Sequence, residues 1–250
     1  MKTIVQSLAI EYQDEGNGPV ILMLHGWKDT LHTFDAIVTD LCHSHRVVRI
    51  DLPGFGGSEM PIGVWSIEAY VRFVREFIQK LHLDVDTFVG HSFGGRIAIR
   101  GTGEGVFQSR RLILIAAAGL AHRRMFRNKV LSGLAKVGKL LTLIPPFSFW
   151  RNELRRTLYT SIGSDYFNAG ALKDTFVKVV SEDLSSFAEK ITVPTLIIWG
   201  ENDSTTPAEQ AERIHSLVRG SKLTVINHAG HFLHQERPEE VTAAISTFLT

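Results

Sequence analysis

Ser92 stands in the run Gly90-His91-Ser92-Phe93-Gly94, a hydroxyl with a glycine two positions to either side. The apolar, β-favouring residues before it stop at Gly90, and a helix-like pattern follows from 94. In that context the serine is a candidate nucleophile. The turn from strand to helix is so tight that side chains two positions either side would collide with their neighbours, so glycine is needed there. The serine is thereby pushed out at the carboxyl end of the strand. A hydroxyl is a poor nucleophile until a base takes its proton, and the chain offers eleven histidines. His231, in "NHAGHFLHQERPEEV", follows the strand-like "LTVI" and precedes the last helical pattern, so its loop emerges at the edge where catalytic groups meet. His228 and His234 are its neighbours and rivals. His228 is expected to shape the loop and His234 to begin a turn.

The base needs an acceptor that fixes its tautomer and stabilises the imidazolium. Asp203, in "IIWGENDSTTP", lies in the loop after the strand at 195–200. Glu201 comes one residue after the turn glycine and is expected to face solvent. The alternative acid position, after "LILIAAAG", holds no carboxylate. The order Ser92, Asp203, His231 is the one expected of a nucleophile elbow. Donors for an oxyanion are expected from the backbone N–H of Phe93 and of Trp27, the latter in "LHGWKDT". The Trp27 and Phe93 side chains are also expected to line the substrate pocket.

These groups need a frame. "VILML" (20–24), "VVRI" (47–50), "TFVG" (87–90), "LILIA" (112–116), "TLIIWG" (195–200) and "LTVI" (223–226) are short apolar runs bounded by turn residues and read as buried strands. Residues 66–82, 94–104, 207–218 and 238–249 have helical spacing. Ser66 offers only a partial capping box, with Ala69 where Glu would be ideal. Pro238 and two glutamates open the last helix as a helix start prefers. Alternation of the two patterns predicts a mostly parallel sheet covered on both faces. "TIVQSLAIEYQ" is more alternating and reads as an antiparallel hairpin at the edge.

From about 119 to 190 no convincing strand occurs. Between 119 and 160 nine basic side chains and one acid, Glu153, give a net +8 against +1 for the chain, which leaves −7 elsewhere. This stretch reads as a helical lid. Its apolar residues, Phe147 and Trp150 among them, are expected to help line the pocket or to form the lid's own core. Arg123, Arg124 and Arg127 could draw in an anionic surface, substrate or carrier, although a solvated helix face is the simpler reading of these charges. The domain expectation is a core of 1–118 and 191–250 with an inserted cap at 119–190.

"LHGW", "DLPGFGGS", "GHSFGG", "GENDSTTP" and "GHFLHQERPEEV" together resemble the landmarks of the α/β-hydrolase superfamily, in its capped serine branch of esterase-like and lipase-like enzymes. The resemblance implies an α/β-hydrolase fold, with a mostly parallel central sheet flanked by helices and the lid inserted after the sixth strand. It covers residues 20–248 apart from the lid. It is specific for fold and triad and poor for substrate. The superfamily includes carboxylesterases, lipases, thioesterases, peptidases, C–C bond hydrolases and a few hormone or signal receptors. Serine at 92 argues against the dehalogenase and epoxide-hydrolase branches, which carry aspartate there. Asp51 and the glycines after it are expected to shape a loop beneath the pocket.

Composition narrows the rest. The 250 residues can bury a sizeable core, and 44% hydrophobic content suits a globular chain. Near-balanced charge gives no sign of nucleic-acid binding. The single cysteine, Cys42, cannot form an internal disulfide. The opening residues lack the apolar core of a signal peptide, and no run approaches the ~18 apolar residues of a membrane span, so a cytoplasmic protein is expected. The expected activity is cleavage of a small-molecule carboxylic ester through an acyl-enzyme, with no metal or cofactor. Alternatives are a C–C hydrolase of a ring-cleavage product and a ligand-binding signalling hydrolase. Oligomeric state is not encoded in these features.

Overall fold

The computed structural model describes residues 1–120 and 170–250. Eight strands form one sheet in the order β1-β2-β4-β3-β5-β6-β7-β8. β1 (Lys2–Val5) and β2 (Leu8–Glu15) make the expected antiparallel hairpin, and β2 also runs antiparallel to β4 (Arg46–Ile50). From β4 onward every pairing is parallel, through β3 (Val20–Leu24), β5 (Val85–His91), β6 (Arg111–Ile115), β7 (Thr195–Gly200) and β8 (Lys222–Ile226). Every residue of β3, β5 and β7 is buried, as expected of central strands, although β5 carries Asp86, Thr87 and His91 among its apolar residues.

Alternate strand residues serve opposite faces. Ile21, Met23, Val47, Val89, Ile113, Ile115, Leu196 and Ile198 form a core with α1 (Asp35–Leu41) and the last helix, α8 (Pro238–Leu249). The intervening residues point the other way, where α2 (Ile67–Lys80) and α3 (Phe93–Gly103) pack on each other and α3 lies against β5. The Ser66 hydroxyl caps α2 by accepting from the Ala69 amide at 3.3 Å. Its buried residues Ile67, Tyr70, Val71, Val74 and Phe77 follow helical spacing. α1 was not anticipated: Leu31, Phe34, Val38 and Leu41 are spaced for a helix, but the helix itself is only seven residues long.

α4 (Lys173–Ser181), α5 (Ser185–Ala188), α6 (Ala208–Leu217) and α7 (Leu233–Glu236) complete the described elements. Two compact units divide the chain, residues 1–120 with 178–250, and residues 121–177. α5 therefore belongs to the core unit, ahead of the boundary expected at 190. The reason is local: Leu184 and Ala188 are fully buried, the Leu184 amide bonds the Gly119 carbonyl, and α5 packs on α3. The expected lid, with Arg123, Arg124, Arg127, Phe147 and Trp150, falls outside the described residues except for its last part. Among the described residues no helix is long and apolar enough to cross a membrane.

The strand order has its reversal between β3 and β5, whose chains leave toward opposite sides of the sheet. Such a switch point opens a crevice at the carboxyl ends of the two strands. The loop carrying Trp27 and the turn carrying Ser92 sit there side by side.

Candidate active site

Ser92 has φ 49° and ψ −106°, a conformation that costs a non-glycine residue about 1–3 kcal/mol. The surrounding backbone compels it. The Ser92 amide donates to the Ile115 carbonyl at 3.1 Å, its carbonyl accepts from Ala118 at 3.1 Å, and the Gly94 amide donates to the His25 carbonyl at 3.0 Å. A Cβ on Gly90 would lie 2.7 Å from the Gly94 oxygen, and one on Gly94 would lie 2.0 Å from the Leu24 oxygen. Both contacts are with backbone, which cannot swing aside. Gly94→Ala is therefore expected to destabilise the fold by about 3 kcal/mol, the upper range for overpacking. A denaturant midpoint unchanged from the parent would refute that.

The His231 Nε2 lies 3.0 Å from the Ser92 Oγ, and its Nδ1 lies 2.8 Å from Asp203 Oδ2. β7 and β8 deliver the two partners from the same sheet edge, one and two strands beyond β6. Asp203 is 5% exposed. Its Oδ1 accepts from the Thr205 and Thr206 amides at 2.8 Å each, and its Oδ2 from the Thr206 hydroxyl at 2.7 Å. Burial pushes the carboxyl's pKa upward. The hydrogen bond and charge of His231 and the bonds from Thr206 outweigh that and hold it below the ordinary carboxylate value. Asp203 is thus ionised at neutral pH and presents acceptors only, so His231 Nδ1 carries the proton and Nε2 is free to accept one.

The rivals sit elsewhere. Glu201 is half-exposed and accepts from the His228 amide at 3.0 Å. His228 is 81% exposed, in a turn with φ 56°. His234, expected at a turn, is instead fully buried at the start of α7, its Nε2 2.8 Å from the Thr33 hydroxyl. Burial, then the charge of His231, pushes its pKa down to about 3.

The Phe93 amide opens α3 and is one of those with no acceptor inside the helix, at the helix's positive end. Gly26 lies against Ser92: a Cβ there would be 3.4 Å from the Ser92 Cβ. That brings the Gly26–Trp27 backbone to the same spot. The Trp27 ring packs edge-on against Phe93 and Phe55 at 5.2 and 4.9 Å, and Tyr70 meets Phe93 at 5.0 Å. Phe93 itself is 3% exposed. Below this cluster Asp51 shapes the loop as expected, its carboxylate accepting from Leu31 at 2.6 Å and Gly57 at 2.8 Å. His25 accepts from the Leu52 amide at 2.9 Å through Nε2 and donates to the Gly26 carbonyl at 2.7 Å through Nδ1.

Thr206 was missed in the sequence: an Asp in a turn signals a bond to the amide two residues on, here Thr205, and nothing marks the Thr206 hydroxyl. His91 was missed too. Among the described residues no group of acidic, histidine or cysteine side chains could hold a metal ion. A cavity of about 580 Å³ among Pro19, Asp84, Asp86, Arg110 and Thr192 opens at the amino ends of the strands and includes none of Ser92, Asp203 and His231.

The comparisons with known proteins agree with this architecture. The chain is 27% identical over 259 residues to a human monoacylglycerol lipase, with 94% of this chain and 76% of that protein aligned. It is 23% identical over 274 residues to human epoxide hydrolase 4, covering 94% and 73%. The solved structure of an esterase from Exiguobacterium antarcticum superposes with a TM-score of 0.76 at 26% identity, over the full length of both chains. The sequence profile of the alpha/beta hydrolase family matches residues 21–244, from β3 to the middle of α8, and the chain belongs to that family.

Proposed function

We propose that the chain is a serine hydrolase that cleaves carboxylic esters of small molecules through an acyl-enzyme on Ser92. The observation that carries this reading is the unbroken run of hydrogen bonds from the Ser92 hydroxyl through the His231 imidazole to the buried Asp203 carboxylate. Ser92 Oγ attacks the ester carbonyl while its proton passes to His231 Nε2. Asp203 keeps the other ring proton on Nδ1 and stabilises the imidazolium. The developing oxyanion accepts from the N–H groups of Phe93 and Trp27. His231 then returns its proton to the departing alkoxide. A water molecule, activated by the same imidazole, releases the acid and restores Ser92.

The scheme uses no metal or cofactor. The printed names of two similar proteins, a monoacylglycerol lipase and an esterase, support an ester as the bond cleaved. The hydroxyl at 92, where the epoxide-hydrolase branch carries aspartate, supports an ester over an epoxide. The test is a panel of p-nitrophenyl esters of graded acyl length beside ring-cleavage C–C substrates, with mass analysis of a fluorophosphonate adduct. Ester turnover with the adduct on Ser92 is expected. Cleavage of C–C substrates alone, or saturable ligand binding without turnover, would replace the reading.

A further inference from the structure

His91, the residue before Ser92, has no part in the scheme above, yet it is 1% exposed at the centre of the site. It ends β5, and its ring touches both neighbouring loops. On the loop after β3, its Nδ1 lies 3.0 Å from where a Cβ on Gly26 would sit and 3.9 Å from Asp29 Oδ2. On the loop after β8, its Nε2 is 3.1 Å from the His231 carbonyl oxygen. The ring centroid is 5.0 Å from that of His231, 5.4 Å from that of Phe232 and 4.5 Å from that of His234.

The partners fix the ring's proton. A carbonyl oxygen only accepts, so His91 Nε2 must be the donor. Burial, then the neighbouring His234, His231 and His25, hold the imidazole's pKa well below its ordinary value, so the ring is neutral and Nδ1 carries a lone pair. That lone pair faces Asp29 Oδ2, and neither buried atom has a hydrogen-bond partner among the described residues. The other Asp29 oxygen accepts from the Thr30 amide at 2.8 Å. Buried polar atoms without partners are uncommon and ask for a reason. A ring present for packing alone could be a phenyl group, with no lone pair to leave unpaired. Among the described residues, the one hydrogen bond of the His91 ring is to the main chain of His231.

The geometry points to His91 as a positioning residue: its Nε2–H holds the His231 main chain and so aims the His231 imidazole at the Ser92 hydroxyl. This rests on the serine-hydrolase reading above. The tie runs through a backbone atom, so it governs placement rather than the proton affinity of His231. Misplacing a reacting group by about 1 Å can cost ~10² in rate. The loss should fall on kcat and not on KM, because His91 is buried beneath the site and touches no substrate.

The experiment compares wild type with His91→Gln and His91→Phe, using p-nitrophenyl acetate turnover and the rate of fluorophosphonate labelling at Ser92. The glutamine amide nitrogen can reach the place of Nε2 and keeps a donor; phenylalanine keeps the ring and loses it. For His91→Phe, kcat and labelling rate are expected to fall ~10²-fold with KM within about threefold, while His91→Gln stays within about fivefold of wild type. Equal rates for His91→Phe and wild type, or equal losses in both variants, would overturn the proposal. If His91→Phe does not fold, ¹⁵N NMR of the wild-type imidazoles decides. His91 should remain a neutral Nε2–H tautomer across roughly pH 5–9, where an unperturbed ring titrates. An Nδ1–H tautomer would overturn the proposal, since it cannot donate to His231. Failure of wild type to label at Ser92 would sink the serine-hydrolase reading and this proposal with it. A labelled wild type with indifferent variants would sink this proposal alone.

Discussion

Ser92→Ala is expected to lower kcat for an ester by about 10⁶-fold while leaving the fold intact. That factor corresponds to ~8 kcal/mol of transition-state stabilisation. On the proposed mechanism it is so large because His231 has no serine proton to take and no acyl-enzyme can form, which leaves only the oxyanion donors and binding to assist attack by water. The fold should survive because the elbow is secured by backbone. The Ser92 amide and carbonyl bond Ile115, Arg96 and Ala118, and alanine keeps all three contacts. The side chain gives up only its bond to His231. Thermal or denaturant unfolding should shift by less than about 1 kcal/mol. Near-wild-type esterase activity in the purified variant would remove Ser92 from the role of nucleophile. A collapse of stability would mean that the hydroxyl, and not the backbone, holds the turn.

The elements that place Ser92, His231 and Asp203 were legible because each rests on a local pattern. Short apolar runs bounded by turn residues announced β3, β5 and β7, and the glycines at 90 and 94 announced a turn in which a Cβ would strike backbone. Asp203 was separated from Glu201 by its distance from the turn glycine, and the two carboxylates indeed differ in burial. What was not legible depends on partners far along the chain. His234 looked like a turn residue; it is buried because Thr33, two hundred residues earlier, meets its Nε2. His91 occupies an unspecified position of the G-x-S-x-G pattern and was given no role, and its bond to His231 spans 140 residues. No periodicity or turn signal encodes such contacts, since they arise only after the sheet has set the order of its strands. α1 was missed for another reason: seven residues are too few for helical spacing to stand out from chance.

Asp203→Asn should cut kcat by up to about 10⁴-fold, with the fold again retained. The surroundings dictate which way the new amide points. Two backbone N–H groups, from Thr205 and Thr206, aim at Oδ1 and require an acceptor there. The amide oxygen must take that position, which puts the NH₂ where Oδ2 now meets His231 Nδ1 and the Thr206 hydroxyl. The Thr206 hydroxyl can adapt, because it can donate to the Ala116 carbonyl 3.3 Å away and accept from the NH₂. His231 cannot adapt without losing function. Facing a donor, its Nδ1 must become the acceptor, so its proton moves to Nε2 and points at Ser92. A ring in that tautomer has no lone pair with which to take the serine proton. Glu201→Gln supplies the control: among the described residues that half-exposed side chain holds only His228, and kcat should change by less than about threefold, as for a surface position. Both variants are read by kcat on the same ester. If Glu201→Gln proved the more damaging, the acid that orients His231 would have to be sought on the other side of the β7 turn.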